Sequence, residues 1–330
     1  MKKILIVKVG AFGDVVMSLF MLEALKQCYP EATIDWICGK KVAPFLSSLD
    51  KIDRLITVDE EALLRGKKLQ QMCQVLRSIS HLGIQRYDLA IVAHRDSRYR
   101  LLLGGARCRE VRWMGDETRY AFSKGLYHGL AYQRVVESSY RKLIFPHFEV
   151  SKWPLERDRE APIVLAPGGN PKVEPGKQFR MWPLISYRCL AEKLIEAGWT
   201  VAIVGSKTDG WMSPSFSTLN VIDLIGKTTE LELLSLFQSA GCVVTHDSGP
   251  MHLAAIAKVP LVALFGPTTP SEKLPPQAPW IHCLWGGNTL SCRPCYDGKN
   301  YAVCSLPRCM HSISVDQVFE TILNHHSLVS

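Results

Sequence analysis

The chain alternates short β-branched runs with glycine turns and helical spacing, and the clearest case lies in residues 242–270. Residues 242–245 predict a strand, and Ser248, Gly249 and Pro250 then place a hydroxyl, a permissive backbone and a proline where a helix should begin. The free amides and positive dipole end of such a helix attract an anion. Asp247 and His252 flank this turn, where a phosphate oxygen or a ribose hydroxyl could reach them. An ordinary, well-capped strand-to-helix turn explains the same pattern equally well.

A second glycine turn follows the β-branched residues 4–9. Gly10-Ala-Phe-Gly13-Asp14 comes next, and apolar residues at helical spacing continue from there. The G-x-x-G spacing followed by an acid differs from the dinucleotide fingerprint, because a carboxylate would repel a pyrophosphate. Asp14 is therefore better suited to accept a proton or a hydroxyl group than to bind phosphate. The alternative is that Asp14 only caps the following helix.

The same alternation recurs along the chain and predicts an α/β fold with parallel sheets covered by helices. Residues 145–162 are rich in proline and charge, so we expect one domain at residues 1–150 and another at 151–330. A length of 330 residues, 47% of them hydrophobic, also suits two cores better than one. A helix expected near the C-terminus, at 314–323, can pack back across the junction. The expected strands are 4–9, 33–37, 54–58, 89–93, 110–113, 163–166, 201–204, 221–224, 242–245, 261–265 and 281–285.

Several motifs together resemble glycosyltransferase family 9, the family of the lipopolysaccharide heptosyltransferases. They are Lys8-Val-Gly-Ala-Phe-Gly-Asp14-Val, Ala166-Pro-Gly-Gly169, Arg180-Met-Trp-Pro183, Thr245-His-Asp-Ser-Gly-Pro-Met-His252-Leu-Ala-Ala and Phe265-Gly-Pro-Thr268. The resemblance implies the GT-B fold, in which two Rossmann-like domains face each other across a cleft. It also implies that the N-terminal domain binds a lipid-linked sugar acceptor and the C-terminal domain binds a nucleotide sugar such as ADP-heptose.

One position departs from the family. Arg180 stands where the family often carries a lysine, so the positive charge is kept while its hydrogen-bonding geometry changes.

The resemblance implies an inverting glycosyltransferase that moves a heptose, or a related sugar, from ADP-heptose to a lipopolysaccharide core acceptor without a covalent enzyme intermediate. Displacing a nucleoside diphosphate requires a base for the attacking hydroxyl and positive charge on the leaving group. We expect Asp14 to be the base and Arg180 the leaving-group cation. No metal or other cofactor is expected beyond the donor substrate, because a helix N-terminus and a cation neutralise the diphosphate. The expected donor-binding residues are Lys8, Gly168, Gly169, Asp209, Asp247, Ser248, Gly249 and His252.

Two of these residues have simpler interpretations. Arg180 also fits a surface position beside a helix, and Asp209 also fits an ordinary loop acid.

The net charge of +8 is concentrated in arginines between residues 95 and 112, which indicates an anionic partner. Arg95 and Arg98 follow the expected strand 89–93, so together with Gly13 they are the expected acceptor-binding residues. An acidic, phosphorylated glycolipid at the inner membrane face fits this charge. Nucleic acid does not, because the chain has no helix-turn-helix, zinc-finger or aromatic-rich binding signature. A solvated basic surface is the alternative.

The sequence contains no apolar run of the roughly 18 residues that span a bilayer, and its start is too short and charged for a signal peptide. We therefore expect a cytoplasmic enzyme that can associate peripherally with the inner membrane. Cys292, Cys295, Cys304 and Cys309 approximate metal-ligand spacing, but the interval between the two pairs is short for a zinc ribbon. Reduced thiols are favoured over a structural zinc.

Other functions stay open on the same scaffold. They are a transferase for another nucleotide sugar, a sugar-nucleotide epimerase, and a binding protein without turnover. An acid at Asp14 favours a transferase over a binder, because a binder needs no base beside the acceptor.

Overall fold

The computed structural model describes residues 1–116, 124–150, 153, 161–169, 179–296 and 300–326. The chain divides into two compact units, Met1–Phe148 and Glu149–Ser330. Residues 151–152 and 154–160, in which the sequence predicts the domain boundary, lie outside the described residues.

The first unit is built on a parallel five-stranded sheet with the strand order β3-β2-β1-β4-β5. The central strand β1 is buried from its second residue onward, as expected for a parallel sheet covered on both faces. The strands are β1 (Lys3–Val7), β2 (Thr33–Gly39), β3 (Arg54–Val58), β4 (Arg86–Val92) and β5 (Arg107–Trp113).

The helices of the first unit connect these strands. The longest, α1, buries most of its residues from Val15 to Leu25, and its Phe20 ring packs edge-on against Tyr127 at 5.6 Å. The helices are α1 (Phe12–Cys28), α2 (Ala43–Ser47), α3 (Glu60–Arg65), α4 (Lys68–Leu82), a 3₁₀ helix (Ser97–Leu103) and α5 (His128–Val136).

The second unit contains a parallel six-stranded sheet with the order β11-β10-β9-β6-β7-β8. Its strands are β6 (Ile163–Ala166), β7 (Val201–Gly205), β8 (Ile222–Ile225), β9 (Cys242–His246), β10 (Leu261–Phe265) and β11 (Ile281–Trp285). Its helices are α6 (Leu184–Glu196), a 3₁₀ helix (Lys207–Phe216), α7 (Glu230–Gln238), α8 (Gly249–Ala257), α9 (Pro270–Lys273), α10 (Arg308–His311) and α11 (Val315–His326).

Both sheets have the order of a Rossmann-like fold, in which the chain starts in the middle and builds outward on each side. All eleven expected strands are present, and their ends differ from the expected ones by at most three residues. Each of the described helices is too short or too polar to cross a membrane.

Trp182 anchors the core of the second unit. Its side chain is fully buried, and its indole N–H donates to the carbonyl oxygen of Ile313 at 2.9 Å. Val318 and Ile322 of α11 belong to the same core. The expected C-terminal helix therefore packs on the second unit's own core.

A buried carboxylate links three strands of the first unit. Asp35 in β2, 3% exposed, accepts hydrogen bonds from Arg54 Nη2 in β3 at 2.7 Å and from the Tyr87 hydroxyl in β4 at 2.6 Å. These bonds satisfy a charge that would otherwise be costly to bury.

We predict that Asp35→Ala lowers the free energy of unfolding by about 2–3 kcal/mol, because Arg54 and Tyr87 lose their shared acceptor. Urea denaturation measures this, with the exposed Asp50→Ala as the control. Equal stabilities for the two variants would show that the carboxylate contributes nothing net.

Candidate functional site

The candidate donor site lies at the carboxyl edge of the second sheet, where the loops after β6 and β9 leave side by side. The two strands pair from Ile163 with Cys242 to Ala166 with Thr245. The strand order reverses between these two strands: after β6 the chain continues to β7 on one side, and after β9 it continues to β10 on the other. Open α/β sheets bind ligands at this reversal of strand order.

A charged pair occupies this edge. Asp247 directly follows β9 and is 2% exposed, and its Oδ2 lies 3.3 Å from Arg180 Nη1. Burial by itself raises the pKa of Asp247, but the positive charges of Arg180, His252 and Lys273 outweigh burial and hold the pKa below its ordinary value. Asp247 is therefore a buried, ionised carboxylate.

The second oxygen of Asp247 faces this site without a hydrogen bond. His252 Nε2 lies 3.9 Å from Oδ1, which is too long for a hydrogen bond, and Oδ1 has no hydrogen-bond partner of normal geometry among the described residues. The Thr268 hydroxyl is near enough to help lower the pKa of Asp247, but its Oγ1 is likewise buried without a partner of normal geometry among these residues. Since buried polar atoms in proteins are normally hydrogen-bonded, Oδ1 is an acceptor suited to a hydroxyl of a bound molecule.

Helix α8 begins beside this pair and turns its N-terminus to the same edge. Ser248 is the N-cap residue with an extended backbone, and Pro250 occupies the first turn. The Ser248 side chain makes no capping bond within the described part of the chain, and its Oγ lies 3.4 Å from Thr245 Oγ1. The predicted helix start is thus at its expected place, while the serine leaves the first-turn amides to other acceptors.

Asp209 is held by its own loop. Its Oδ2 accepts from the Ser206 amide at 2.8 Å and from the Ser206 hydroxyl at 2.6 Å. A Cβ atom added at Gly168 would lie 2.8 Å from that oxygen, so the glycine lets the loop after β6 approach the carboxylate. Gly169 follows in the same loop.

His246 is a residue whose role the sequence analysis did not anticipate. Its Nδ1 lies 3.1 Å from the Tyr187 hydroxyl, and the Gly168 backbone also hydrogen-bonds to the imidazole. Burial, reinforced by the charge of Arg180, lowers the pKa of His246 to about 3. A neutral imidazole therefore braces the loop that carries Gly168.

Three aromatic side chains near Arg180 were also missed. The Phe179 and Tyr301 rings lie 5.5 Å apart, and the Tyr296 and Tyr301 rings lie 4.7 Å apart. Burial opposes the charge on Arg180, but Asp247 and then the two tyrosines raise its pKa. No sequence signal joins residue 179 to residues 296 and 301, because only the fold brings these loops together.

The first unit carries the candidate base. Asp14 lies in the first turn of α1, two residues after its start, and is not the N-cap. Its Oδ2 is 3.9 Å from Lys8 Nζ, and the side chain of Asp14 is 44% exposed while that of Lys8 is 3% exposed. The alternative in which Asp14 serves only as the N-cap is therefore wrong.

Lys8 is enclosed by this unit. Its ammonium lies 5.2 Å from the centre of the Tyr132 ring. Burial lowers the pKa of Lys8, although the carboxylates of Asp14 and Glu60 act in the opposite direction. The structure thus places this donor-binding candidate next to the candidate base, in the first unit.

Glu60 and His94 surround the glycine loop that precedes Asp14. A Cβ atom at Gly10 would lie 2.7 Å from Glu60 Oε2, and His94 Nε2 accepts from the Val9 amide at 2.8 Å. The His94 ring stacks on Tyr99 at 3.6 Å. Burial, and then the charge of Lys8, lower the pKa of His94 well below its ordinary value, so a neutral histidine supports the loop.

The expected acceptor-binding arginines follow β4, which pairs with β1. Arg95 and Arg98 are therefore at the same sheet edge as Gly13 and Asp14, and both are exposed. Arg98 is paired with Asp96 at 2.6 Å, which neutralises part of the expected positive charge.

The four C-terminal cysteines form no metal site that the structure describes. All eleven cysteines of the chain are free thiols. Among the described residues, no three histidine, cysteine or acidic side chains are arranged to hold a metal ion. Cys309 instead packs closely against Gly266 and Gly287.

The expected residues thus fall into two groups. The second unit brings together Gly168, Gly169, Arg180, Asp209, Asp247, Ser248, Gly249 and His252, whereas the first unit holds Lys8, Gly13, Asp14, Arg95 and Arg98.

Comparison with known sequences places the chain among related proteins. Residues 162–304 match the model of Glycosyltransferase family 9 (heptosyltransferase). Lipooligosaccharide heptosyltransferase 2 from Haemophilus ducreyi is 29% identical, over 86% of this chain and 90% of that protein. Lipopolysaccharide heptosyltransferase 2 from Escherichia coli K12 is 28% identical, over 81% of this chain and 84% of that protein.

Solved structures share the fold. Escherichia coli ADP-heptose lps heptosyltransferase II has a TM-score of 0.72 at 23% identity and covers 99% of both chains. Escherichia coli heptosyltransferase WaaC with ADP has a TM-score of 0.73 at 15% identity, with 98% of this chain and 99% of that chain covered. The predicted fold class, two Rossmann-like domains of the GT-B type, is confirmed.

We predict that His246 makes the second unit sensitive to acid. Folding lowers the pKa of His246 from 6.5 to about 3. Between pH 6.5 and pH 3 the unfolded chain therefore carries a proton on this imidazole that the folded chain does not. Because the unfolded state binds more protons, the free energy of unfolding decreases as the pH falls through this range. Between about pH 7 and about pH 5 this group should cost roughly 2 kcal/mol.

His246→Asn should remove that part of the pH dependence, because an amide does not titrate while it retains hydrogen-bonding groups for Tyr187. Urea unfolding at the two pH values measures the effect, and His147→Asn at an exposed position is the control. The same acid loss in the wild type and in His246→Asn would contradict the prediction.

Proposed function

We propose that this chain, a member of glycosyltransferase family 9 by its motifs and its relatives, transfers a heptose from ADP-heptose to a lipopolysaccharide core acceptor with inversion at the sugar carbon. The two relatives described above are named heptosyltransferase 2, and each aligns with more than four-fifths of this chain. The activity is thus that of a glycosyltransferase of lipopolysaccharide biosynthesis.

The observation that carries the proposal is the Arg180–Asp247 pair beside the N-terminus of α8. A nucleoside diphosphate needs positive charge, and the guanidinium and the first-turn amides of Gly249 and its neighbours supply it from two sides. Asp247 keeps Arg180 in place and has an unbonded Oδ1 that can accept a hydroxyl of the ribose or the sugar. Such a site suits a sugar linked to a diphosphate better than a free sugar.

The remaining residues of the second unit would shape the donor site. Ser248 and His252 lie at the start of α8, and Gly168 and Gly169 allow the backbone to come close to the ligand. Asp209 would fix the loop after β7 through Oδ2 and contact ribose through Oδ1. Tyr301, next to Arg180, offers an aromatic face to the base of the nucleotide.

Asp14 would act as the base in the first unit. Its partly exposed carboxylate can reach an incoming hydroxyl, while the buried Lys8 ammonium forms an ion pair with it on the side of the protein interior. Lys8 would then position the base, and its positive charge would also favour the departing diphosphate. Gly13, Arg95 and Arg98 at the same edge would bind the acceptor, with the arginines attracting its phosphates or carboxylates.

The proposed reaction is a single displacement. Asp14 removes the proton from the acceptor hydroxyl, the oxygen bonds to the anomeric carbon, and the bond from that carbon to the diphosphate oxygen breaks. Arg180 and the amides at the α8 N-terminus stabilise the negative charge that forms on the diphosphate. This arrangement requires no divalent cation, so turnover should continue in excess chelator.

The three other functions that the sequence leaves open predict different outcomes in an activity assay. A transferase for another nucleotide sugar would prefer a different nucleotide, an epimerase would convert the donor without any acceptor, and a binder would show no turnover. The surroundings of Asp14 favour the transferase, because a buried lysine there holds a partly exposed carboxylate that can accept a proton.

We predict that Asp14→Asn reduces the transfer rate by about 10² to 10⁴, the usual contribution of a positioned base. Donor affinity and unfolding free energy should stay near wild type, because asparagine is nearly isosteric and every donor-binding candidate except Lys8 lies in the second unit. Single-turnover assays with saturating substrates measure the rate, and calorimetry measures donor binding. Asp50→Asn is the matched control, and a near-normal rate for Asp14→Asn would exclude Asp14 as the base.

We predict that ADP stabilises the protein more than UDP or GDP does. A ligand at 100 times its dissociation constant adds about 2.7 kcal/mol to the stability of the state that binds it. Arg180→Met should abolish most of the thermal shift with ADP, whereas Arg188→Met, which removes a surface partner of Glu192, should retain it. Equal shifts with all three nucleotides would refute the adenosine preference.

A further inference from the structure

Helix α4 of the first unit exposes apolar side chains on the face that turns away from the unit. It buries Gln74, Ser78 and Leu82 against the unit, and Val75 packs partly buried against the same core. Its opposite side exposes Leu69 by 72%, Met72 by 57% and Leu76 by 54%. A surface helix normally buries its apolar residues and exposes its polar ones, so this arrangement is unfavourable in water alone.

The exposed apolar residues form a continuous strip. Their spacing of three and four residues puts them on one face of the helix, and Cys73 lies between them. At about 100° per residue, this face is opposite the one centred on Ser78. We call Leu69, Met72, Cys73 and Leu76 the α4 strip.

Positive charge borders the α4 strip. Lys68 lies on one side of it, Arg77 lies on the other, and Lys67 precedes the helix; all three are exposed. The helix sequence from Lys68 to Leu82 contains no aspartate or glutamate. An exposed apolar strip between basic side chains is the pattern of a helix that lies in the interface of an anionic membrane.

We propose that the α4 strip docks the first unit onto an anionic lipid surface, with its apolar side chains among the acyl chains and its basic side chains at the phosphates. A second copy of the chain fits less well, because a two-fold contact through α4 would bring the basic residues of both copies together without an acid on either helix.

The topology shows what this docking would accomplish. Helix α3, which precedes α4, carries Glu60 against the Gly10 loop at the carboxyl edge of β1. The Leu69 end of the strip is therefore the end near the edge that carries Asp14. If the acceptor is lipid-linked, a point that rests on the proposed function, docking presents the base to it at the membrane surface.

Flotation with vesicles tests the proposal without donor or acceptor, so its outcome is independent of the proposed activity. We expect the wild type to float with phosphatidylglycerol-containing vesicles and much less with pure phosphatidylcholine. The variant Leu69→Gln/Met72→Gln/Leu76→Gln should bind anionic vesicles at least about tenfold more weakly, because three apolar side chains no longer enter the bilayer. The variant Lys67→Gln/Lys68→Gln/Arg77→Gln should lose about the same factor in affinity for anionic vesicles, and its weak binding to pure phosphatidylcholine should not change.

A control variant removes the same number of exposed apolar side chains from the second unit: Ile185→Gln/Val303→Gln/Leu306→Gln. It should float like the wild type, and circular dichroism melts should show that all variants are folded. Absence of wild-type binding to anionic vesicles would overturn the proposal, as would equal loss in the α4 and control variants. Sedimentation that shows a dimer abolished by the α4 variant, with no vesicle binding, would assign the strip to a second copy instead.

Discussion

The parallel pairing of β6 with β9 is the constraint on which the second unit depends. These strands are far apart in the chain, and their hydrogen bonds set Gly168 beside Asp247 at one sheet edge. The other parts of the donor site are placed from this pair: Arg180 by the Asp247 carboxylate, the α8 N-terminus by the next residues of the chain, and the Gly168 loop by the neutral His246 imidazole. A shift in this register would move the Gly168 loop away from Asp247 and the α8 N-terminus.

The two units bury opposite members of their ion pairs. In the second unit the carboxylate is buried and the guanidinium is the more accessible group, which suits a site that must present positive charge to an anion. In the first unit the ammonium is buried and the carboxylate is accessible, which suits a site that must present a proton acceptor. In each pair the buried group holds the exposed one in place. The exposed group in turn neutralises the buried one, because a buried charge without a partner would be costly.

The sequence predicted the strands closely because each is a β-branched run next to a glycine turn, and Ile163–Ala166 and Leu261–Phe265 were located to the residue. It also identified the candidate site residues that follow those strands, whose roles remain predictions. It missed His246, Glu60 and Tyr301, since their contacts come from loops and strands that are distant in the chain. The sequence left open that Asp14 only caps the helix, because the start of a helix can be predicted only to within a few residues. The helix in fact begins earlier, at Phe12.

The close approach of Gly168 to Asp209 limits the order in which this site can change during evolution. A side chain at Gly168 would meet the Asp209 carboxylate at 2.8 Å, and a side chain at Gly205 would meet the Asp209 Cβ at 3.1 Å. The three positions therefore form one epistatic unit, in which the effect of each substitution depends on the residue at the others. An alanine at position 168 requires the Asp209 carboxylate to move from its hydrogen bonds with Ser206, so the same substitution should be better tolerated where Asp209 has been replaced by a smaller residue.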